Sequence, residues 1–91
     1  MFEKWIKGVK KPKDKARIFT RIKRAELGNL GDYRQVTENL FEMRTFFGPG
    51  YRLYYTIRDG KIVLLLCGGN KSSQARDIKK AKTILEELKW E

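Results

Sequence analysis

Glu42, Arg44, Arg52, Tyr54 and Arg58 recur at even spacings within LFEMRTFFGPGYRLYYTIRDGKIVLLLC, the stretch from Leu40 to Cys67. Side chains of a strand alternate between its faces, so this parity sorts the residues. Read as a strand, Phe41 to Phe47 sends Phe41, Met43, Thr45 and Phe47 one way and Glu42, Arg44 and Phe46 the other. Read likewise, the next strand places Tyr51, Leu53, Tyr55 and Ile57 on one side and Arg52, Tyr54, Thr56 and Arg58 on the opposite one. That second face is cationic and aromatic. Guanidinium groups fork two hydrogen bonds to a phosphate, and exposed rings stack on unpaired bases. Tyr54 and Phe46 fit such stacking and fit equally well as packing beneath a helix. Glu42 among these cations reads either as a reactive carboxylate or as a structural partner of Arg44 or Arg52.

Two further sets of cations lie outside this stretch. Arg17, Arg21 and Arg24 fall on one stripe of a helix, a row that suits a phosphate backbone and suits an ordinary solvated face just as well. Lys71 follows Gly68-Gly69-Asn70 and precedes a helix start, where backbone amides attract anions. It either steadies a phosphate or keeps a loop hydrated, and the spacing is not that of a Walker loop. Twenty-one Lys and Arg against eleven Asp and Glu give a net charge of +10 on 91 residues. A surplus of this size favours polyanions through counterion release, nucleic acid ahead of an acidic protein or an anionic membrane surface. The chain has no histidine and one cysteine. Cys67 therefore makes no internal disulfide, no Cys/His cluster exists for a transition metal, and its apolar surroundings in sequence mark it as a core filler. No cofactor is expected. The N-terminal apolar run is too short for a signal peptide and no segment is long enough to span a bilayer, so a cytoplasmic protein is expected.

The elements that must hold these residues follow from periodicity and turn chemistry. Ninety-one residues suggest one small domain, 1–91, with a single core. Phe2, Trp5, Ile6 and Val9 form the apolar stripe of a short helix with Lys4, Lys7, Lys10 and Lys11 opposite. From Pro12 to Leu27, Ile18, Ile22 and Ala25 line a second helix that Asp14 caps or complements and Gly28 stops. Asn29 to Asp32 is a loop by composition, and Tyr33 to Asn39 is short, polar and ambiguous. Gly48-Pro49-Gly50 reverses the chain, and Asp59-Gly60 has the chemistry of a type I′ hairpin. Ile62 to Leu66 has no polar break, which predicts a strand covered on both faces and interior to the sheet. Ser72 or Ser73 is placed to cap a last helix lined by Ile78, Ala81, Ile84, Leu85 and Leu88.

Glu42-Met43-Arg44, then Phe47-Gly48-Pro49-Gly50-Tyr51-Arg52-Leu53-Tyr54-Tyr55, then the run from Leu64 to Ile78 through Cys67-Gly68-Gly69-Asn70-Lys71-Ser72-Ser73 form a specific pattern. It closely resembles the phage-derived, HigB-like branch of the RelE/ParE toxin superfamily. Phe2 with Trp5, the basic run Arg21 to Arg24, and Gly28 to Asp32 extend the likeness over nearly the whole chain. The resemblance implies an α+β fold: a small curved antiparallel sheet, two N-terminal helices packed on one face, and a C-terminal helix. Relatives usually begin with a strand, whereas this chain begins almost inside the first helix, so a smaller sheet lacking that N-terminal edge strand is expected. The tyrosine that RelE-type members carry near the C-terminus has no counterpart after Ser73.

The same resemblance implies the toxin of a type II toxin–antitoxin module, a ribosome-dependent mRNA endonuclease neutralised by a cognate antitoxin, here expected to be a HigA-like helix-turn-helix protein. By position Arg44, Arg52, Lys71 and Glu42 correspond to its catalytic set; the residues read above from spacing alone, Arg17, Arg21, Arg24, Tyr54, Arg58 and Phe46, are the expected RNA contacts. Cleavage by the 2′-hydroxyl needs loss of its proton, stabilisation of a doubly charged phosphorane and protonation of the departing 5′-oxygen. Three cations suit the second task. A base is harder to name, because neighbouring cations lower the pKa of Glu42 and weaken it as one. Two alternatives stay open: a ParE-like DNA gyrase inhibitor that needs no catalytic cations, and a non-catalytic RNA-binding or inactive homologue.

Overall fold

A computed structural model describes residues 2–69 and 71–88, with the side chains of Phe2, Glu3 and Lys71 outside the described set. Helices α1 (Phe2–Lys7) and α2 (Pro12–Glu26) come first. Strands β1 (Tyr33–Thr37), β2 (Leu40–Arg44), β3 (Arg52–Arg58) and β4 (Lys61–Gly68) follow. A single 3-10 turn at Lys71–Ser73 then leads into α3 (Gln74–Glu87). The strands form one curved antiparallel sheet in the order β1-β2-β3-β4, each paired with its neighbour in sequence. No strand precedes α1 among the described residues.

Both faces of the sheet are covered. On one, Met43, Leu53, Tyr55 and Cys67 meet Ile6, Val9, Ile18, Ile22 and Ala25 from the N-terminal segment and α2. On the other, Leu40, Tyr54, Leu65 and Leu66 meet Ala81 and Ile84 of α3. The face expected to present Arg52 and Tyr54 is thus roofed by α3. The expectation for β4 was half right. Its apolar run is covered on both sides, yet it lies at the sheet edge, where Trp5 of α1 joins both cores. An irregularity opposite Tyr54 and Tyr55 leaves Leu65 without a partner, so β4 carries one extra residue there, as in a β-bulge. Leu65 and Leu66 therefore both join the α3 core, and the uninterrupted run needs no interior strand.

Local chemistry explains the joints. Pro12 opens α2, and Asp14 in its first turn is no cap: it is buried and accepts a hydrogen bond from the Tyr51 hydroxyl at 3.0 Å. At the other end the Gly28 amide bonds to the Ala25 carbonyl and the Asn29 amide to the Arg24 carbonyl, with Gly28 at φ +96°, the pattern of a Schellman stop. Asp59 and Gly60 both take positive φ, as a type I′ turn requires. Tyr33 to Thr37, ambiguous by composition, is a strand because β2 offers it an edge. Ser73 stands at the N-cap position of α3, but its hydroxyl bonds to the Asp77 carboxylate at 2.6 Å rather than to a backbone amide.

Candidate nucleic-acid interface

β2 stops at Arg44, three residues short of the span that alternation suggested, so Phe46 is not on the strand face with Glu42 and Arg44. The chain leaves the sheet instead. The Thr45 amide and hydroxyl both donate to the Tyr51 carbonyl, closing a loop whose tip includes Gly48 and Gly50 at positive φ. Phe47 turns inward against Tyr51 and joins the α2 core, while Phe46 is 85% exposed. Arg17 lies over the Phe47 ring at 5.5 Å, a cation–π contact that ties α2 to the loop.

Between α2, the loop after it and this turn lies a cavity of about 530 Å³ lined by Arg17, Arg21, Arg24, Arg44, Phe46 and Phe47. Four guanidinium groups and an exposed ring from separate parts of the chain thus share one concavity. Asp32, also in its wall, is the carboxylate facing them. Arg21 donates to the Asp32 carbonyl at 3.2 Å and lies against Gly31, whose φ of +59° and missing Cβ make room for it. Burial lowers the Arg21 pKa from its ordinary value. Arg44 reaches the Asp32 carboxylate at 3.4 Å, a long and partly exposed pair.

Arg44 also stands opposite Arg52 in the β2–β3 register, so the two project from one face of the sheet. Arg52 is only 12% exposed and lies 3.3 Å from Glu42, which is fully buried. Glu42 further accepts from Arg34 Nε at 3.1 Å and from Gln74 Nε2 at 3.0 Å. Burial pushes its carboxyl up, but the hydrogen bonds, Gln74 and Arg34 foremost, outweigh that and hold it below the usual carboxylate value. Arg52 and Arg44 each keep a buried Nε–H without an acceptor.

The sequence candidates thus divide. Arg17, Arg21, Arg24, Arg44 and Phe46 meet at the cavity. Glu42 and Arg52 form an internal pair beside it. Tyr54 is completely buried under α3, so it offers no ring to a base; its hydroxyl lacks good hydrogen-bond geometry to any partner, and burial followed by the Glu42 charge raises its pKa. Arg58 sits at the opposite end of β3 from Arg52, about 20 Å away at strand rise. The backbone of Lys71 opens the 3-10 turn, and its side chain lies outside the described residues. Sequence reasoning missed Arg34 and Gln74, the partners of Glu42, and Asn29 and Asp32 in the cavity wall. Arg34 lies in the stretch left ambiguous. Gln74 is 32 positions from Glu42, and no spacing rule connects them.

Taken together, the curved four-stranded sheet, its three helices and the basic cavity define a small α+β protein of RelE-like type. The chain belongs to the family described as phage-derived protein Gp49-like, whose model matches residues 4–89, and this is a family of RelE-like toxin modules. An uncharacterized protein of Haemophilus influenzae is 46% identical over 87 residues, covering 96% of this chain and 88% of that one. No solved structure matches. A toxin module of this kind implies an antitoxin partner. Among the described residues no helix is long and apolar enough to cross a membrane.

Proposed function

We propose that the protein is the HigB-like toxin of a type II toxin–antitoxin pair and acts as a ribosome-dependent mRNA endonuclease. One observation carries the reading: Arg17, Arg21, Arg24 and Arg44 converge with the exposed Phe46 on one cavity, and Arg44 shares a sheet face with Arg52. The RNA strand lies along the α2 arginines, and the scissile phosphate sits on the exposed side of Arg44, with Arg52 behind it and Lys71 as the third cation. The 2′-hydroxyl loses its proton to water as its oxygen attacks the adjacent phosphorus, the bond to the 5′-oxygen breaks and that oxygen takes a proton from water, and a 2′,3′-cyclic phosphate and a 5′-hydroxyl result. The Arg44 guanidinium, 41% exposed, with Arg52 behind it, stabilises the phosphorane as its second charge develops.

Glu42 is not the base in this scheme. A carboxylate that accepts three side-chain hydrogen bonds and is held below its ordinary pKa has little affinity for a proton. Its part is to fix the Arg52 guanidinium. Rate enhancement comes from orientation and charge stabilisation, with the ribosome shaping the substrate. The partner is a HigA-like helix-turn-helix antitoxin with an acidic segment, matched to the +10 charge.

The internal pairing of Arg52 with Glu42 favours one other reading, an RNA-binding module that does not cut. Mapping mRNA 5′-ends after brief induction decides between them. The parent yields new ends in translated messages within minutes and Arg52→Ala does not. Intact mRNA with purified protein and translating ribosomes, together with full toxicity of Arg52→Ala, overturns cleavage.

A further inference from the structure

We infer that the cavity beside α2 reads one unpaired nucleotide, with its base stacked on Phe46 and its flanking phosphates on Arg17 and Arg24. This rests on the RNA-directed reading above and adds the substrate class: a single strand with a base turned out of any stack.

Phe46 is presented by its loop. Both polar groups of Thr45 hold the Tyr51 carbonyl, the Gly50 amide bonds to the Phe47 carbonyl at 3.1 Å, and the Tyr51 hydroxyl is anchored on buried Asp14. Gly48, at φ +57°, sits so close that a Cβ there would lie 2.8 Å from the Asp14 carboxylate. A loop fixed at this many points could have packed both rings. It packs Phe47, with Arg17 laid across it, and leaves Phe46 with 85% of its surface in water. An exposed ring held out beside cations is the arrangement by which proteins take hold of unpaired bases.

The surroundings fit the rest of a nucleotide. The cavity, at about 530 Å³, lies within the range of small-molecule sites. Arg17 and Arg24 are exposed and available to phosphate, while Arg21 is fastened to the Asp32 carbonyl and marks the inner wall. Thr20, Asn29 and Asp32 add donors and acceptors within reach of a base edge. In a duplex the base faces are covered by their neighbours, so a paired strand can engage the arginine row but not the ring.

Fluorescence anisotropy with the full-length protein tests this, using a labelled twelve-nucleotide RNA, single-stranded and annealed to its complement, at one fixed salt concentration. The parent binds the single strand at least tenfold tighter than the duplex. Phe46→Ala abolishes that preference, Phe46→Trp restores it, and Arg17→Ala keeps it while reducing the slope of log affinity against log salt for the single strand by about 0.7. A thermal melt shows that each variant is folded. Equal binding of both RNA forms by the parent, or an undiminished preference in Phe46→Ala, overturns this inference and leaves the RNA-directed reading standing. Failure of the single strand to bind at all also overturns this inference, while the RNA-directed reading is judged separately by the mRNA 5′-end mapping with translating ribosomes.

Discussion

A carboxylate among guanidinium groups gives up basicity for every hydrogen bond it accepts, and Glu42 accepts from Arg34, Arg52 and Gln74 while fully buried. Removing it strands the Arg52 cation, so Glu42→Ala is expected to cost about 3 kcal/mol of stability in urea unfolding, the scale of breaking a buried pair. Glu42→Gln, which keeps the shape, costs less. Because the folded-state pKa is depressed, the charge contributes stability above the ordinary carboxyl value and loses it as pH falls through the folded one. The urea midpoints of parent and Glu42→Gln should therefore converge on acidification below about pH 4. In cleavage assays Glu42→Gln should lower the rate without moving the acidic limb of its pH profile, which a general base would shift. Pairing of Glu42 with a neighbouring arginine was legible from alternation alone. The excursion of Phe46 was not, because parity counts residues only while the strand continues, and two glycines and a proline gave no sign of where it ends.

At the level of elements, the corner where β4 meets the turn into α3 has the least tolerance. A Cβ on Gly68 would lie 2.7 Å from the Asp77 carboxylate and 3.1 Å from the Tyr54 ring, and Asp77 is itself held by Ser73. Gly68→Ala is expected to cost about 1–3 kcal/mol in urea unfolding by pushing α3 off the sheet, with a control at half-buried Gly69, where nothing stands within 4 Å of an added Cβ, changing little. The two helical stripes, the hairpin at Asp59-Gly60 and the final helix were readable because each depends on residues adjacent in the chain. β1 and the edge position of β4 were not, since both depend on which strands lie beside them. A covered strand looks the same in sequence whether a neighbouring strand or a helix such as α1 lies along its flank.

For the molecule as a whole, a +10 charge sits on two thin cores that share one sheet, and the interior is rich in tyrosine. Tyr51, Tyr54 and Tyr55 are buried, and burial raises the pKa of each above its usual value. A group kept protonated by folding contributes in full below its unfolded pKa, and the contribution is lost as pH rises toward the folded one. Stability should therefore fall steeply above about pH 10, with tyrosinate absorbance near 295 nm appearing together with loss of helical circular dichroism. Tyrosinate absorbance that rose well before the circular dichroism changed would show the rings to be accessible in the native state.

Cys67 is the chain's one cysteine, with no exposed surface and a thiol that burial, with Asp77 behind it, pushes up to about 12. Maleimides and iodoacetamides react with thiolates they can reach, so the native protein is expected to be silent toward them. A second thiol introduced on an exposed position becomes the molecule's single chemical handle, ready for a dye, a spin label or a photo-crosslinker without first deleting the natural one.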